Sequence, residues 1–146
     1  MNHNMLPLTR NDLIKKLEEF FKKQNSVKLA YLFGSSVTEK RGKLSDIDIA
    51  VLFDDHLGKK ERFKLELELI GKLSSLLKTN KIDLVIMNEA TILMNYNIIK
   101  GIALIGEESV RIKTETAIIS KYLDRKPHIQ RYALETIKKV AEQGLK

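Results

Sequence analysis

Asp46 and Asp48 stand one residue apart where an apolar run begins, Ile47-Asp48-Ile49-Ala50-Val51-Leu52-Phe53. Side chains alternate along a strand, so both carboxylates point the same way, about 6–7 Å apart along the backbone. Ile47, Ile49 and Val51 take the other face. Ala50 and Leu52 share the carboxylate parity, so that face is charged only at its start. Two carboxylates this close repel each other. A divalent cation removes the repulsion. Mg²⁺ takes oxygen ligands, usually one or two carboxylates completed by substrate phosphates. The pair alone also suits a strand emerging into solvent, where an Asp at each exposed position is harmless.

Separated from Asp46 by ten residues, the chain reads Gly34-Ser35, directly after the apolar run Leu29-Ala30-Tyr31-Leu32-Phe33. Glycine lets the backbone approach a ligand closely. N–H groups at the start of a following helix bind anions, and the Ser35 hydroxyl adds a donor. The two features together make a phosphate seat beside a metal clamp. Nucleotidyl transfer needs this combination, one part holding the leaving pyrophosphate and the other neutralising developing charge. Asp83 opens a further apolar run, Ile82-Asp83-Leu84-Val85-Ile86-Met87. If that strand neighbours 47–53, Asp83 joins the metal site or takes the proton from an attacking hydroxyl. Otherwise it is a strand-edge Asp facing water.

The positioning elements follow from periodicity. Thr9 and Asp12 start a helix whose stripe is Leu13, Ile14, Leu17, Phe20 and Phe21. Residues 29–33 and 47–53 are strands, with a short helix and a turn at Gly42 expected between them. Residues 59–78 are a helix with Phe63, Leu67, Ile70, Leu73 and Leu77 as its inner stripe, ending near Asn80. Residues 82–87 form a third strand, 89–100 a helix and 101–105 a fourth strand. Two helices are expected in the tail. The second carries Ile129, Tyr132, Ala133, Thr136, Ile137, Val140 and Ala141, with Pro127 near its start and Gly144 past its end. The fold class is α/β (α+β), a small mixed sheet of about four strands flanked by helices. Residues 1–108 read as one domain and 109–146 as a helical extension packed on it or on a partner.

A chain of 146 residues with 43% hydrophobic content suits one folded unit. Without cysteine it has neither disulfides nor thiolate metal sites, so a cytoplasmic location is expected. No run of 18 apolar residues occurs, so neither a membrane span nor a secretion signal is expected. Net charge is +7, and residues 111–146 carry nine Lys or Arg against four Asp or Glu. Such a basic face attracts nucleotide, nucleic acid or an acidic protein, or simply solvates a lysine-rich surface. His3, His56 and His128 are scattered, which argues against zinc. The Walker pattern is absent, and the 6% aromatic content argues against a single-strand reader.

Gly34-Ser35, ten residues and Asp46-x-Asp48, with the flanking YLFGSS, LSDIDIAVLF and KIDLVIMN segments, resemble the polymerase-β-type nucleotidyltransferase superfamily. They look most like its minimal members, the MNT (MntA-like) antitoxins of HEPN/MNT toxin–antitoxin pairs. The resemblance runs from about residue 10 to about 125 and is most specific in residues 31–53. It implies a nucleotidyltransferase-like fold and transfer of AMP from ATP, with Mg²⁺ (two ions), to a hydroxyl. In the antitoxin branch the acceptor is a tyrosine of the HEPN toxin, so the partner implied is a HEPN-domain toxin, in a homo- or hetero-oligomer. Carried over, Gly34 and Ser35 hold triphosphate oxygens, Asp46 and Asp48 bind Mg²⁺, and Asp83 is the third metal ligand and base. Where many minimal members read GSxARG, this chain has Ser36-Val37-Thr38-Glu39-Lys40-Arg41-Gly42. Ser36, Lys40 and Arg41 are thus candidates for further phosphate contacts, as is Lys43, or else solvated loop residues. Two alternatives stand beside the AMP-transferring antitoxin. One is an antitoxin that neutralises by contact alone. The other is a transferase acting on a small molecule or RNA, for which 146 residues leave little room for an acceptor domain.

Overall fold

The computed structural model describes residues 9–34 and 46–144. Ser35, Ser36, Lys40, Arg41 and Lys43, with the short helix and the turn expected around them, lie outside the described residues.

Helix α1 (Arg10–Lys22) begins where Thr9 accepts the Asp12 backbone N–H at 3.1 Å, and it buries Leu13, Leu17 and Phe21. Four strands follow in a mixed sheet: β1 (Val27–Phe33), β2 (Ile47–Phe53), β3 (Ile82–Ile86) and β4 (Ile102–Ile105). Their spatial order is β3-β2-β1-β4. β1 runs antiparallel to β2 and β4, while β2 and β3 are parallel. The parallel pair needs a crossover, which α2 (Lys59–Leu77) supplies. Helix α3 (Ile92–Ile99) starts at Thr91, whose hydroxyl accepts the Met94 N–H at 3.1 Å. That cap sets the start three residues later than the expected 89.

The sheet is buried on both sides, which explains its near-continuous apolar strands. One face packs Ile47, Ile49, Val51 and Phe53 against α1 and α2. The other gathers Tyr31, Phe33, Ala50 and Met87 under Ile98 of α3, with Val110 and Ile118 of α4 (Glu108–Gly144) at its margin. At the centre of this second core the Tyr31 hydroxyl donates to Glu115 Oε2 at 2.5 Å, tying α4 to β1. Burial and the neighbouring Glu115 raise the Tyr31 pKa, so the phenol stays a proton donor at neutral pH.

Two expectations change. α2 turns the expected Leu73 and Leu77 inward, but takes Leu69 with them and leaves Phe63 and Leu67 at 59% and 55% exposure. The helix carries apolar residues in two phases, and the sheet takes the leucine phase. The tail is one helix, not two. Pro127 lies inside α4, and the carbonyl its missing N–H would have met belongs to Leu123, which is 57% exposed. On so exposed a residue the cost of the missing hydrogen bond is lower than in a buried helix, and α4 runs on through the proline.

Two stability results follow from α2. At Gly71 an added Cβ would meet nothing within 4 Å. Gly71→Ala is therefore expected to stabilise by about 0.5–1 kcal/mol, read from urea midpoints at unchanged slope. The Glu66 pKa is raised by desolvation and by the charge of Glu89. A carboxyl raised in the folded state loses stability as pH climbs through its ordinary range. Glu66→Gln should thus melt higher than wild type at neutral pH, with the difference vanishing in acid below the carboxylate range. A constant difference at all pH values would refute this cause.

Candidate active site

Antiparallel pairing of β1 with β2 sets Phe33 opposite Asp48. Gly34, the next residue, therefore turns off the sheet directly over that carboxylate. Its φ is +67°, a left-handed conformation that side chains resist. An added Cβ would collide with the Asp48 carboxylate, its Oδ2 first and its Cγ at 3.2 Å. Glycine is required twice over, by conformation and by space.

Parallel pairing of β2 with β3 makes Asp83 the register partner of Asp48. Adjacent strands lie about 4.8 Å apart, and equal parity sets both side chains on one face. Asp46 has that parity too, one residue ahead of β2, and is exposed. Asp48 is half-buried and Asp83 exposed. Beyond Asp48 the same face continues with buried Ala50, where the second core begins. The carboxylates thus occupy the open end of a sheet face whose remainder is covered by helices.

This end is held from behind. The turn after α3 brings Gly101 against β1, where an added Cβ would lie 2.9 Å from Phe33 Cβ and collide with the Leu32 carbonyl. Phe33 immediately precedes Gly34, so the turn braces the glycine through β1. Sequence reasoning missed Gly101, because a glycine needed for close approach is indistinguishable in sequence from one needed for a turn. It also missed the other end of β2. There Asn88 accepts the Phe53 N–H at 2.9 Å and returns its amide to the Phe53 carbonyl at 3.1 Å.

Among the described residues, no three His, Cys, Asp or Glu side chains stand close enough to hold a metal ion by themselves. The donors on this face are nonetheless all carboxylate oxygens, the hard ligands that suit Mg²⁺. The backbone at Gly34 approaches them as a ligand-bearing loop would. The residues fit an ion held by one or two carboxylates and completed by phosphate oxygens.

A glycine turned over paired carboxylates at the end of a mixed sheet is the arrangement of a nucleotidyltransferase domain. Residues 15–110 match the family Polymerase beta, Nucleotidyltransferase, and the chain belongs to that family. Among solved structures, a toxin–antitoxin crystal structure with AMP-PNP is 30% identical, covering 92% of this chain and 99% of that one, with a TM-score of 0.63. The toxin–antitoxin MntA–HepT is 29% identical, covering 90% and 96%, with a TM-score of 0.56. A complex of tri-AMPylated Shewanella oneidensis HEPN toxin with MNT antitoxin is also 29% identical, covering 90% and 95%, with a TM-score of 0.56. No curated protein matches the sequence significantly. Among the described residues no helix is long and apolar enough to cross a membrane.

Proposed function

We propose that this chain transfers AMP from ATP to a hydroxyl, a tyrosine, of a cognate HEPN-domain toxin, and that it acts as that toxin's antitoxin. The observation that carries the reading is the register of Asp48 with Asp83 beneath Gly34. Support comes from near-full-length similarity to a complex that contains an AMPylated HEPN toxin and an MNT antitoxin.

In this reading the acceptor oxygen attacks the α-phosphorus of ATP, the Pα–O bond to the β-phosphate breaks, and pyrophosphate leaves. Gly34, with Ser35 next in the chain, holds the leaving phosphates through backbone N–H and hydroxyl donors. Asp46 and Asp48 would hold Mg²⁺ together with the phosphate oxygens, with Asp83 as the candidate third ligand once the phosphates are in place, and the ion would supply charge neutralisation on those oxygens. Asp83, exposed at the strand end, also accepts the proton of the acceptor hydroxyl. Residues 1–108 are read as the transferase domain and 109–146 as a helical extension that packs on this domain or on the partner.

One observation favours a contribution from contact. The outer part of α4 exposes Ile119, Leu123, Leu134 and Ile137 at 41%, 57%, 64% and 62%. Their spacing keeps them near one side of the helix, as in helix-pairing seams. Toxin-induced growth arrest separates the contributions. Asp46→Asn/Asp48→Asn should fail to relieve the arrest if AMP transfer neutralises the toxin. Full relief by that variant would move neutralisation from chemistry to contact.

A further inference from the structure

A cleft of about 540 Å³ opens on the same sheet face as the carboxylates but at its opposite end, where Leu52 and Met87 contribute to its lining. Leu52 lies four residues beyond Asp48, about 13 Å along the strand at ~3.3 Å per residue. Neither Gly34 nor any of the three aspartates lines the cleft. Tyr31, Ala50 and Ile98, all fully buried, fill the face between the two. The volume falls within the range of small-molecule pockets, roughly 300–1,000 Å³.

Its chemistry is specific. Lys28, Lys113 and Lys121 line it together with Asp55, three positive charges against one negative. Lys28 already pairs with Asp55 at 3.5 Å. Lys113 and Lys121, two turns apart on α4, have no carboxylate at ion-pair distance among the described residues. Asn95, also on the wall, donates its amide to the Met87 carbonyl at 3.1 Å, which fixes which way the group faces. Its Oδ1 is then buried with no hydrogen-bond partner among the described residues. An unmatched buried acceptor is rare in folded proteins and calls for a donor.

We propose that this cleft is a second ligand site, separate from the carboxylate end, for a small phosphomonoester with an apolar body and an N–H or O–H donor. The phosphate meets Lys113 and Lys121, the body lies on Leu52 and Met87, and the donor reaches Asn95 Oδ1 as the amide swings away from the Met87 carbonyl. The site does not depend on the AMP-transfer chemistry, since it shares no residue with Gly34, Ser35 or the three aspartates.

NMR titration of the full chain tests this, using AMP, phenyl phosphate and inorganic phosphate as separate probes. The Asn95 side-chain amide and the Met87 methyl should move together and saturate with AMP, distinct from any response at Gly34. Phenyl phosphate should move Met87 but not complete the Asn95 response, and inorganic phosphate should move neither to saturation. Lys113→Ala/Lys121→Ala changes two exposed side chains, and should weaken AMP at the cleft about tenfold, a difference of about 1.4 kcal/mol. The proposal is overturned if AMP leaves these resonances unmoved, if inorganic phosphate matches AMP, or if the double variant binds as tightly as wild type.

Discussion

Asp48→Asn is expected to reduce AMP transfer about a thousandfold or more, a barrier increase of roughly 4 kcal/mol, while the protein keeps its fold. The size follows from position. Asp48 is the only one of the three carboxylates within β2, it faces Asp83 across the parallel pair, and Gly34 closes over it. An amide keeps nearly the same shape but removes the charge that holds a divalent cation against the phosphates. Stability should change little, because the side chain is only half-buried at the strand end. Single-turnover transfer and a thermal melt, measured on the same sample, separate the two effects. Transfer at the wild-type rate would remove Asp48 from the mechanism and with it the metal clamp.

Gly34→Ala should cost both stability and rate. A left-handed conformation costs a side-chain residue roughly 1–2 kcal/mol. The added methyl must also displace the Asp48 carboxylate, with which it would otherwise collide. A displacement near 1 Å at reacting groups can cost about a hundredfold in rate. Gly71→Ala provides the control, since it adds the same methyl in open space on α2. Activity in Gly34→Ala should therefore fall well beyond what its lower melting temperature explains, whereas Gly71→Ala should keep full activity. Equal activity in the two variants would mean that the glycine serves only the turn.

The strands were legible because their apolar runs are short and end sharply. β2 came out at the expected 47–53, and Asp48 and Asp83 stood out as charges in otherwise apolar segments. Whether those two aspartates meet was not legible. Their meeting depends on β3 adding in parallel beside β2 through α2, a long-range choice that no local pattern encodes. The inner face of α2 was read rightly at Ile70, Leu73 and Leu77 and wrongly in its first half, because Phe63 and Leu67 keep helical spacing with them as well as Leu69 does. Only the sheet decides between the two stripes. The break expected in the tail rested on Pro127, whose cost is real but is tolerated on this exposed stretch of the helix. The Tyr31–Glu115 bond joins positions 84 apart in sequence. Nothing about an apolar strand tyrosine announces its partner.

The central claim is that the carboxylates beneath Gly34 move AMP onto a protein partner. The most direct test mixes the purified chain with Mg²⁺, ATP and its cognate HEPN-domain partner, then reads the partner's intact mass. Asp46→Asn/Asp48→Asn runs in parallel, with gel filtration of both mixtures. A mass gain of one or more AMP units with wild type and none with the variant is the predicted result. An unmodified partner in a stable complex with both versions would contradict it, leaving contact as the whole of the interaction.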